Sequence, residues 1–496
     1  MSDNVYELLA SRFPADRGRP CFLIGEEAIS YGALEAGAGR LATLLVQRGV
    51  RPGDRVAVQA PKSPEAVMLY LAVLMAGAVY LPLNTAYTEH EVGYFLGDAE
   101  PVLFVTDAVP LAREAETLEP LAAPVPRAGG DLAAIVYTSG TTGRSKGAMI
   151  SHRNMAANAL ALHQAWGFRP GDVLLHALPI FHIHGLFIAL HPALLNGSPM
   201  LWHAKFDADA VLADLPRATV LMGVPTFYTR LLEHPGFGRA QAAHMRLFVC
   251  GSAPLLESTF DAFTARTGHR ILERYGMSEA GVITSNPLDG ERLAGSVGHP
   301  LPGVEARIGG GQIAGETGGI EIRGESVFAG YWRMPEKTRE EFTADGFFRT
   351  GDVGRQDADG RVWISGRAKD LIISGGFNVY PKEIELVLDT LPGVTESAVI
   401  AIPHPDFGEA VVAVVAWTGA GAGSGEEAAV IAAARERLAA FKTPKRVFFV
   451  DDLPRNAMGK VQKAALRSEY ARVFDSAGMA EPGVDSAGAP GDAGAR

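Results

Sequence analysis

The chain has 496 residues, more than one hydrophobic core usually serves, so two or more domains are expected. Hydrophobic residues at 47%, charged residues at 20%, 57 glycines and 31 prolines describe a loop-rich globular protein rather than a fibrous or disordered one. A formal net charge of -11 argues against a nucleic-acid partner, which would need many Lys and Arg, and the two cysteines, Cys21 and Cys250, sit in apolar runs that suit neither a disulfide framework nor a cysteine metal site. The opening MSDNVYELLASRF is amphipathic and lacks the basic region and apolar run of a signal peptide. No uninterrupted apolar run reaches the length of about 18 residues that a membrane span needs, so a cytoplasmic location is expected. Apolar runs at 55–60, 101–106, 132–138 and 245–250 predict strands, and 63–77 and 151–166 predict helices between them. This alternation predicts an α/β fold: a large layered N-terminal domain with a largely parallel sheet. From about 303, GGIEIRG and GRVWISG with their turn residues predict a β-rich subdomain. Beyond residues 366–370 a helix through PKEIELVL, strands SAVIAIPH and AVVAVVAW, and a helix over 428–438 predict a small α+β C-terminal domain. The expected domains are 1–366 and 367–475, with a boundary near Lys369 and an Ala/Gly/Pro-rich, disordered tail over 476–496.

The stretch YTSGTTGRSKGAMISH (137–152) combines hydroxyls, glycines and Lys146 directly after a predicted strand. Such a loop can wrap backbone N–H groups around a phosphate while the hydroxyls and the lysine add donors. It departs from the GxxxxGK[ST] pattern, because Ser145 precedes Lys146 and Gly147 follows it, and taken alone it reads equally as a polar turn. In HALPIFHIHG (176–185), His182 and His184 would share a face of a strand, but no third ligand accompanies them, so a metal site is not favoured. LERYGMSEAG (272–281), DGFFRTGD (345–352), GRAKDLIISGGFNVYPKEIE (366–385) and PRNAMGK, ending at Lys460, follow in that order.

Together these motifs resemble the ordered signature of the adenylate-forming superfamily, which includes acyl-CoA and aryl-CoA ligases, luciferases and the adenylation domains of peptide synthetases. The resemblance covers roughly residues 5–470 and implies ATP, Mg²⁺ and coenzyme A as reactants or cofactors. It implies that Thr138, Ser139, Gly140, Thr141, Thr142, Gly143 and Lys146 hold the triphosphate, with Thr142 acting in catalysis, and that Glu279 and Thr138 hold the metal. Gly251, Ser252, Ala253, Tyr275, Gly276, Met277 and Ser278 match the nucleotide pocket, and Asp352 with Arg367 matches the ribose clamp. A planar base suits an aromatic face, a vicinal diol suits a carboxylate, and Mg²⁺ suits hard oxygen. Lys460 matches the lysine that steadies the anionic transition state of adenylation, and acetylation by a lysine acetyltransferase, reversed by a deacetylase, would remove its charge. Lys369 matches the hinge, and Ser374, Gly375 and Gly376 match the strand offered to the pantetheine of coenzyme A. His182 matches a position beside the substrate carboxylate and the thiol. Two departures are visible: Ser278 stands where threonine is commoner, and Ile373 where many relatives carry lysine.

Arg274 lies in a predicted apolar strand beside the expected acyl site, a place where many fatty and aryl relatives carry a small or neutral residue. A guanidinium there stays charged, and a substrate with a second negative charge would compensate it. The runs ATVLMGVPTFYTRL (218–231), FVCGSAPLL (248–256) and LERYGMSE resemble malonyl-CoA synthetases, in which arginines matching Arg230 and Arg274 would hold the distal carboxylate with help from His182 and Ser252. Plainer alternatives are a helix-surface ion pair for Arg230 and a structural salt bridge with Glu273 or another acid for Arg274. The expected function is ATP-dependent ligation of malonate, and secondarily methylmalonate, to coenzyme A. Ligation of another short mono- or dicarboxylic acid is the alternative, and a nucleotide-binding module without turnover is the non-enzymatic one.

Overall fold

The computed structural model describes residues 3–138, 145–309, 315–374, 377–404, 407–418, 424–456 and 459–474. Ser139, Gly140, Thr141, Thr142 and Gly143 of the expected phosphate loop, Gly375, Gly376 and the tail 476–496 lie outside the described residues. The chain divides into two compact units, Met1–Ile364 with Ala457–Lys460, and Ser365–Asn456 with Val461–Arg496.

In the large unit, strands Leu103–Val105, Arg55–Val58, Val79–Pro82 and Leu132–Thr138 run parallel, and Lys146–Ser151 closes the sheet as the antiparallel partner of Leu132–Thr138. A second sheet has a parallel centre: Pro20–Ile24, Met200–Trp202, Leu174–His176, Val220–Gly223, Leu247–Cys250 and the start of Leu272–Met277. From Leu272–Met277 it continues antiparallel through Gly281–Ser285 and Ser296–Pro300 to Val362–Arg367. The β-rich region follows, with Thr317–Gly324 antiparallel to both Val304–Ile308 and Phe348–Gln356.

The helices start where the sequence offers caps. Ser63 accepts from the N–H of Ala66 at the head of Pro64–Met75, and Ser151 forms a capping box with Asn154 at the head of His152–Ala165. Pro64–Met75 is apolar all round (AVMLYLAVLM) and is buried along nearly its whole length, as such a helix must be. The HIHG stretch is not the strand that the sequence suggested. A π-helical segment, His184–Ala189, begins there, and the Pro179 carbonyl lies so close that a Cβ on Gly185 would fall 2.1 Å from it.

In the small unit, Val394–His404 and Gly408–Trp417 pair antiparallel, and Arg446–Val450 adds parallel to the second. Alternate residues of Gly408–Trp417 face two different cores. Val411, Ala413 and Val415 pack with Ile384 and Leu388, whereas Val412, Val414 and Ala416 pack with Leu453 and Leu466. A strand buried on both faces explains the unbroken apolar run AVVAVVAW.

Candidate active site

The parallel strands of the second sheet end at His176, Trp202, Gly223 and Cys250. Ligands of open α/β sheets bind outside such carboxyl ends, and the chain places its polar residues there. Directly after Cys250 come Gly251 and Ser252. Ser252 adopts φ +74°, a left-handed backbone that a serine reaches only at a cost of about 1–3 kcal/mol. Its hydroxyl lies 3.0 Å from His184 Nδ1. Gly251 permits a close approach: a Cβ there would stand 2.4 Å from Arg274 Nε and 2.5 Å from its Cζ.

Arg274 is 4% exposed, and its Nε and Nη2 are buried without a hydrogen-bond partner among the described residues. Burial pulls its pKa down to about 10, with Cys250 and Tyr228 as the opposing influences, so the guanidinium stays charged at neutral pH. It makes no ion pair among the described residues. The neighbouring Glu273 instead accepts from the Leu255 N–H at 3.3 Å. The structural salt bridge weighed for Arg274 is therefore not what holds it. Arg230, expected as its companion, is exposed in the last turn of Pro225–Glu233, whose Phe227, Tyr228 and Leu231 face inward.

His182 is driven down to about pKa 3, by burial first and then by the charges of Lys460 and Arg274, both in the large unit. The His184 N–H donates to His182 Nδ1 at 3.2 Å, so this nitrogen carries the lone pair and Nε2 carries the proton of a neutral ring. Burial likewise holds His184 far below the ordinary histidine range, and its Nε2 is enclosed without a partner. A buried cation and an unpartnered imidazole nitrogen thus stand close enough to perturb one another, a place suited to an anionic group.

The other end of the site arrives partnered. Thr138 and Lys146 face each other across the strand pair that flanks the phosphate-loop residues. The Thr138 hydroxyl donates to Glu279 Oε1 at 3.3 Å, and the Tyr331 hydroxyl donates to the same oxygen at 3.2 Å. Lys146 is 6% exposed, with Nζ 3.5 Å from Glu341 Oε1 and 4.2 Å over the Tyr331 ring. The Tyr275 hydroxyl donates to Asp352 Oδ2 at 2.5 Å, and Asp352 is buried. No group of three or more His, Cys, Asp or Glu that could hold a metal occurs among the described residues. A lone buried carboxylate beside a hydroxyl fits Mg²⁺, which takes one or two protein oxygens and completes its shell with phosphate and water.

Tyr331 and Glu341 were not anticipated from the sequence, since nothing in the spacing of GYWRMPEK marks a partner for Glu279. Gly276 is pinned against its own hairpin, where a Cβ would lie 2.3 Å from the Gly281 carbonyl, and Met277 and Ser278 follow it half-buried. Ala253 is half-buried beside Ser252. Lys460 is exposed and falls with the large unit, while Arg367 and Lys369 are exposed in the small unit. Ser374 is buried there, and Ile373 is 54% exposed.

The chain matches the family model of AMP-binding enzymes over residues 10–332, and that of the AMP-binding enzyme C-terminal domain over residues 383–460. The crystal structure of ATP-bound MatB from Rhodopseudomonas palustris is 50% identical, covers 96% of this chain and 100% of that one, and superposes with a TM-score of 0.92. The mitochondrial malonate–CoA ligase ACSF3 of Mus musculus is 35% identical over 88% of this chain and 85% of its own length. The sulfoacetate–CoA ligase of Cupriavidus necator is 36% identical over 94% of this chain and 97% of its own. No helix among the described residues is long and apolar enough to cross a membrane.

Proposed function

The chain belongs to the family of AMP-binding enzymes and is an AMP-forming acid–CoA ligase, and from that premise we propose that its acid is malonate, with methylmalonate as a second substrate. The observation that carries this reading is Arg274: a guanidinium buried with two unpartnered nitrogens, beside the unpartnered Nε2 of His184. A monocarboxylic acid, whose one carboxylate must face the α-phosphate, leaves it without a partner. The distal carboxylate of malonate would accept from Arg274 in the planar geometry that guanidinium favours. Exposed Arg230 would add long-range attraction, and Ser252 would stand beside the acid.

One oxygen of the reacting carboxylate attacks the α-phosphorus of ATP, and the bond to pyrophosphate breaks. The sulfur of coenzyme A then attacks the acyl carbon, its proton passes to solvent or a base, and AMP leaves with the bonding pair. In this reading neutral His182 sits beside the reacting carboxylate, where a cation would compete with Arg274 for the distal one. Thr138, Lys146 and the hydroxyl-rich loop through Thr142 receive the triphosphate, and Tyr275 and Asp352 receive the nucleoside, with Gly251, Ala253, Gly276, Met277 and Ser278 lining its pocket. Glu279 with Thr138 would hold Mg²⁺, which when bound supplies positive charge to the phosphate oxygens. Lys460 supplies charge to the anionic transition state of the first step. Arg367 completes the ribose contacts, and a hinge near Lys369 turns the small domain so that Ser374, Gly375 and Gly376 meet the thiol in the second.

Sulfoacetate is the second reading, because it also pairs a carboxylate with a second anion one carbon away, and a sulfoacetate–CoA ligase is among the similar proteins. The test is a panel of malonate, methylmalonate, sulfoacetate, succinate, acetate and propionate with ATP and coenzyme A, followed by pyrophosphate release and thioester formation. Malonate should give the highest kcat/KM. Equal or better turnover of acetate or propionate would remove the reading.

A further inference from the structure

Lys62 takes no part in the site described so far. It lies between the strand Arg55–Val58 of the first sheet and Ser63, the cap of Pro64–Met75. Its side chain reaches the carboxyl edge of the second sheet. Nζ stands 2.9 Å from His176 Nδ1, donates to the His176 carbonyl at 2.8 Å, and lies 4.2 Å over the ring of buried Trp202.

The other ring nitrogen of His176 lies 3.0 Å from the Gly185 carbonyl. A carbonyl only accepts, so Nε2 carries the proton. His176 is 1% exposed and burial holds it neutral, which leaves Nδ1 as an acceptor. An amine at Lys62, charged or neutral, can donate to that nitrogen and so stabilises the Nε2–H tautomer that the Gly185 carbonyl sets.

The selected tautomer bears on the site through Gly185. This carbonyl also accepts from the Leu190 N–H, five residues on, which makes the helix π rather than α at this turn. Gly185 is wedged against Pro179, and the residue before it is His184, which meets the hydroxyl of Ser252 beside Arg274. A continuous series of contacts therefore runs from Lys62 through His176 and Gly185 to His184 and Ser252.

We propose that Lys62 is a positioning residue for the acid-binding end of the site: by donating to His176 Nδ1 it keeps the Nε2–H on the Gly185 carbonyl, holds the π turn in register, and so fixes His184 and Ser252 beside Arg274. The inference rests on the reading that this end of the site receives the acid. Without Lys62, His176 can place its proton on Nδ1. The Nε2 lone pair then faces the lone pairs of the Gly185 carbonyl, and the bond becomes a repulsion.

The test uses Lys62→Met, which keeps the length and apolar stem of the side chain over Trp202. It should raise KM for malonate roughly tenfold while leaving KM for ATP within about twofold, the scale expected when one buried hydrogen bond is lost. Glutamine at 176 can present an amide N–H to Gly185 without help from Lys62. The double variant Lys62→Met/His176→Gln should therefore recover malonate KM to within about threefold of the wild type, where unrelated packing losses would add. Nitrogen-15 NMR of labelled histidine should show one neutral tautomer, protonated at Nε2, for His176 in the full chain and a mixture in Lys62→Met. Where Lys62→Met does not fold, Lys62→Leu, which also has no donor, takes its place in all three measurements. An unchanged tautomer, equal rises in KM for malonate and ATP, or additive loss in the double variant would each overturn the role of Lys62. Arg274→Met, assayed alongside, separates that failure from failure of the acid-site reading. Equal losses for malonate and propionate there would remove the acid assignment, whereas the tautomer measurement needs no acid at all.

Discussion

The two ends of the candidate site differ in how much of their charge the protein itself answers. At the end proposed to receive the nucleotide, Glu279 accepts from Thr138 and Tyr331, Asp352 accepts from Tyr275, and Lys146 lies between Glu341 and an aromatic face. At the end proposed to receive the acid, Arg274 and His184 are buried with nitrogens that no described residue meets. Groups with internal partners stay in place before a ligand arrives. They also spend part of the ligand's binding energy on exchanging those partners. Groups without partners do the opposite: the fold bears their desolvation until an anion of the right shape relieves it, so discrimination concentrates there.

The strongest way to break this comparison is to remove the unanswered charge. Arg274→Met should cut kcat/KM for malonate by roughly 10²–10³-fold, because a distal carboxylate buried without its cation loses about 3–5 kcal/mol. Acetate and propionate should be untouched or slightly improved. Steady-state kinetics across the three acids checks this, and equal losses would return Arg274 to a structural role.

Lys460→Ala should lower adenylation by roughly 10²-fold, equivalent to about 3 kcal/mol of transition-state stabilisation, for every acid alike. Thioester formation from supplied malonyl-adenylate should survive. Pyrophosphate release and thioester yield measured separately decide the point, and parallel losses in both steps would remove the role given to Lys460.

A gentler change sharpens the comparison at the acyl end. Gly251→Ala puts a methyl where Arg274 Nε lies 2.4 Å from the built Cβ, so the guanidinium must move while its charge remains. Malonate KM should rise roughly tenfold and propionate should be spared. A glycine that mattered only for backbone freedom would not distinguish the two acids.

The smallest effect lies outside the site. Asp389 in the small unit also has a buried oxygen, Oδ2, without a partner, but a carboxylate can shed its charge where a guanidinium cannot. Burial pushes its pKa up to about 6, above the unfolded value, so the fold prefers the neutral acid. Stability is therefore lost as pH rises from about 4 to about 6, and stays lost above that. Asp389→Asn should stabilise the small unit by about 1–2 kcal/mol at pH 7.5 and by nothing near pH 4, read by thermal denaturation at both values.

Arg274 was legible in the sequence because a permanent charge inside an apolar strand needs an explanation of its own. A bridge to Glu273 runs against strand geometry, since adjacent strand residues point to opposite faces. The helix Pro64–Met75 was legible from its serine cap and continuous apolar surface. Arg230 was expected to share the work of Arg274, yet the helical period that turns Phe227, Tyr228 and Leu231 inward leaves it outward. Tyr331, Glu341, Lys62 and His176 were not legible as neighbours of the site. Each reaches it through a contact between distant segments, and no local pattern encodes which carbonyl or carboxylate will lie opposite. The HIHG stretch was misread as a strand for a related reason: alternating polar and apolar residues also occur where a helix begins against a proline carbonyl.

The two-faced strand Gly408–Trp417 has a consequence for how the protein is made. One of its faces packs first on the helix around Ile384 and Leu388, which leaves the ribosome before it, and is completed by Val430 and Ala434, but the other waits for Leu453 and Leu466. Until those residues emerge, Val412, Val414 and Ala416 stand bare on a nascent sheet, a surface that chaperones bind and that neighbouring chains can join. A truncation before Leu466 would leave that face permanently uncovered and should appear as aggregate during expression rather than as a soluble enzyme lacking one step.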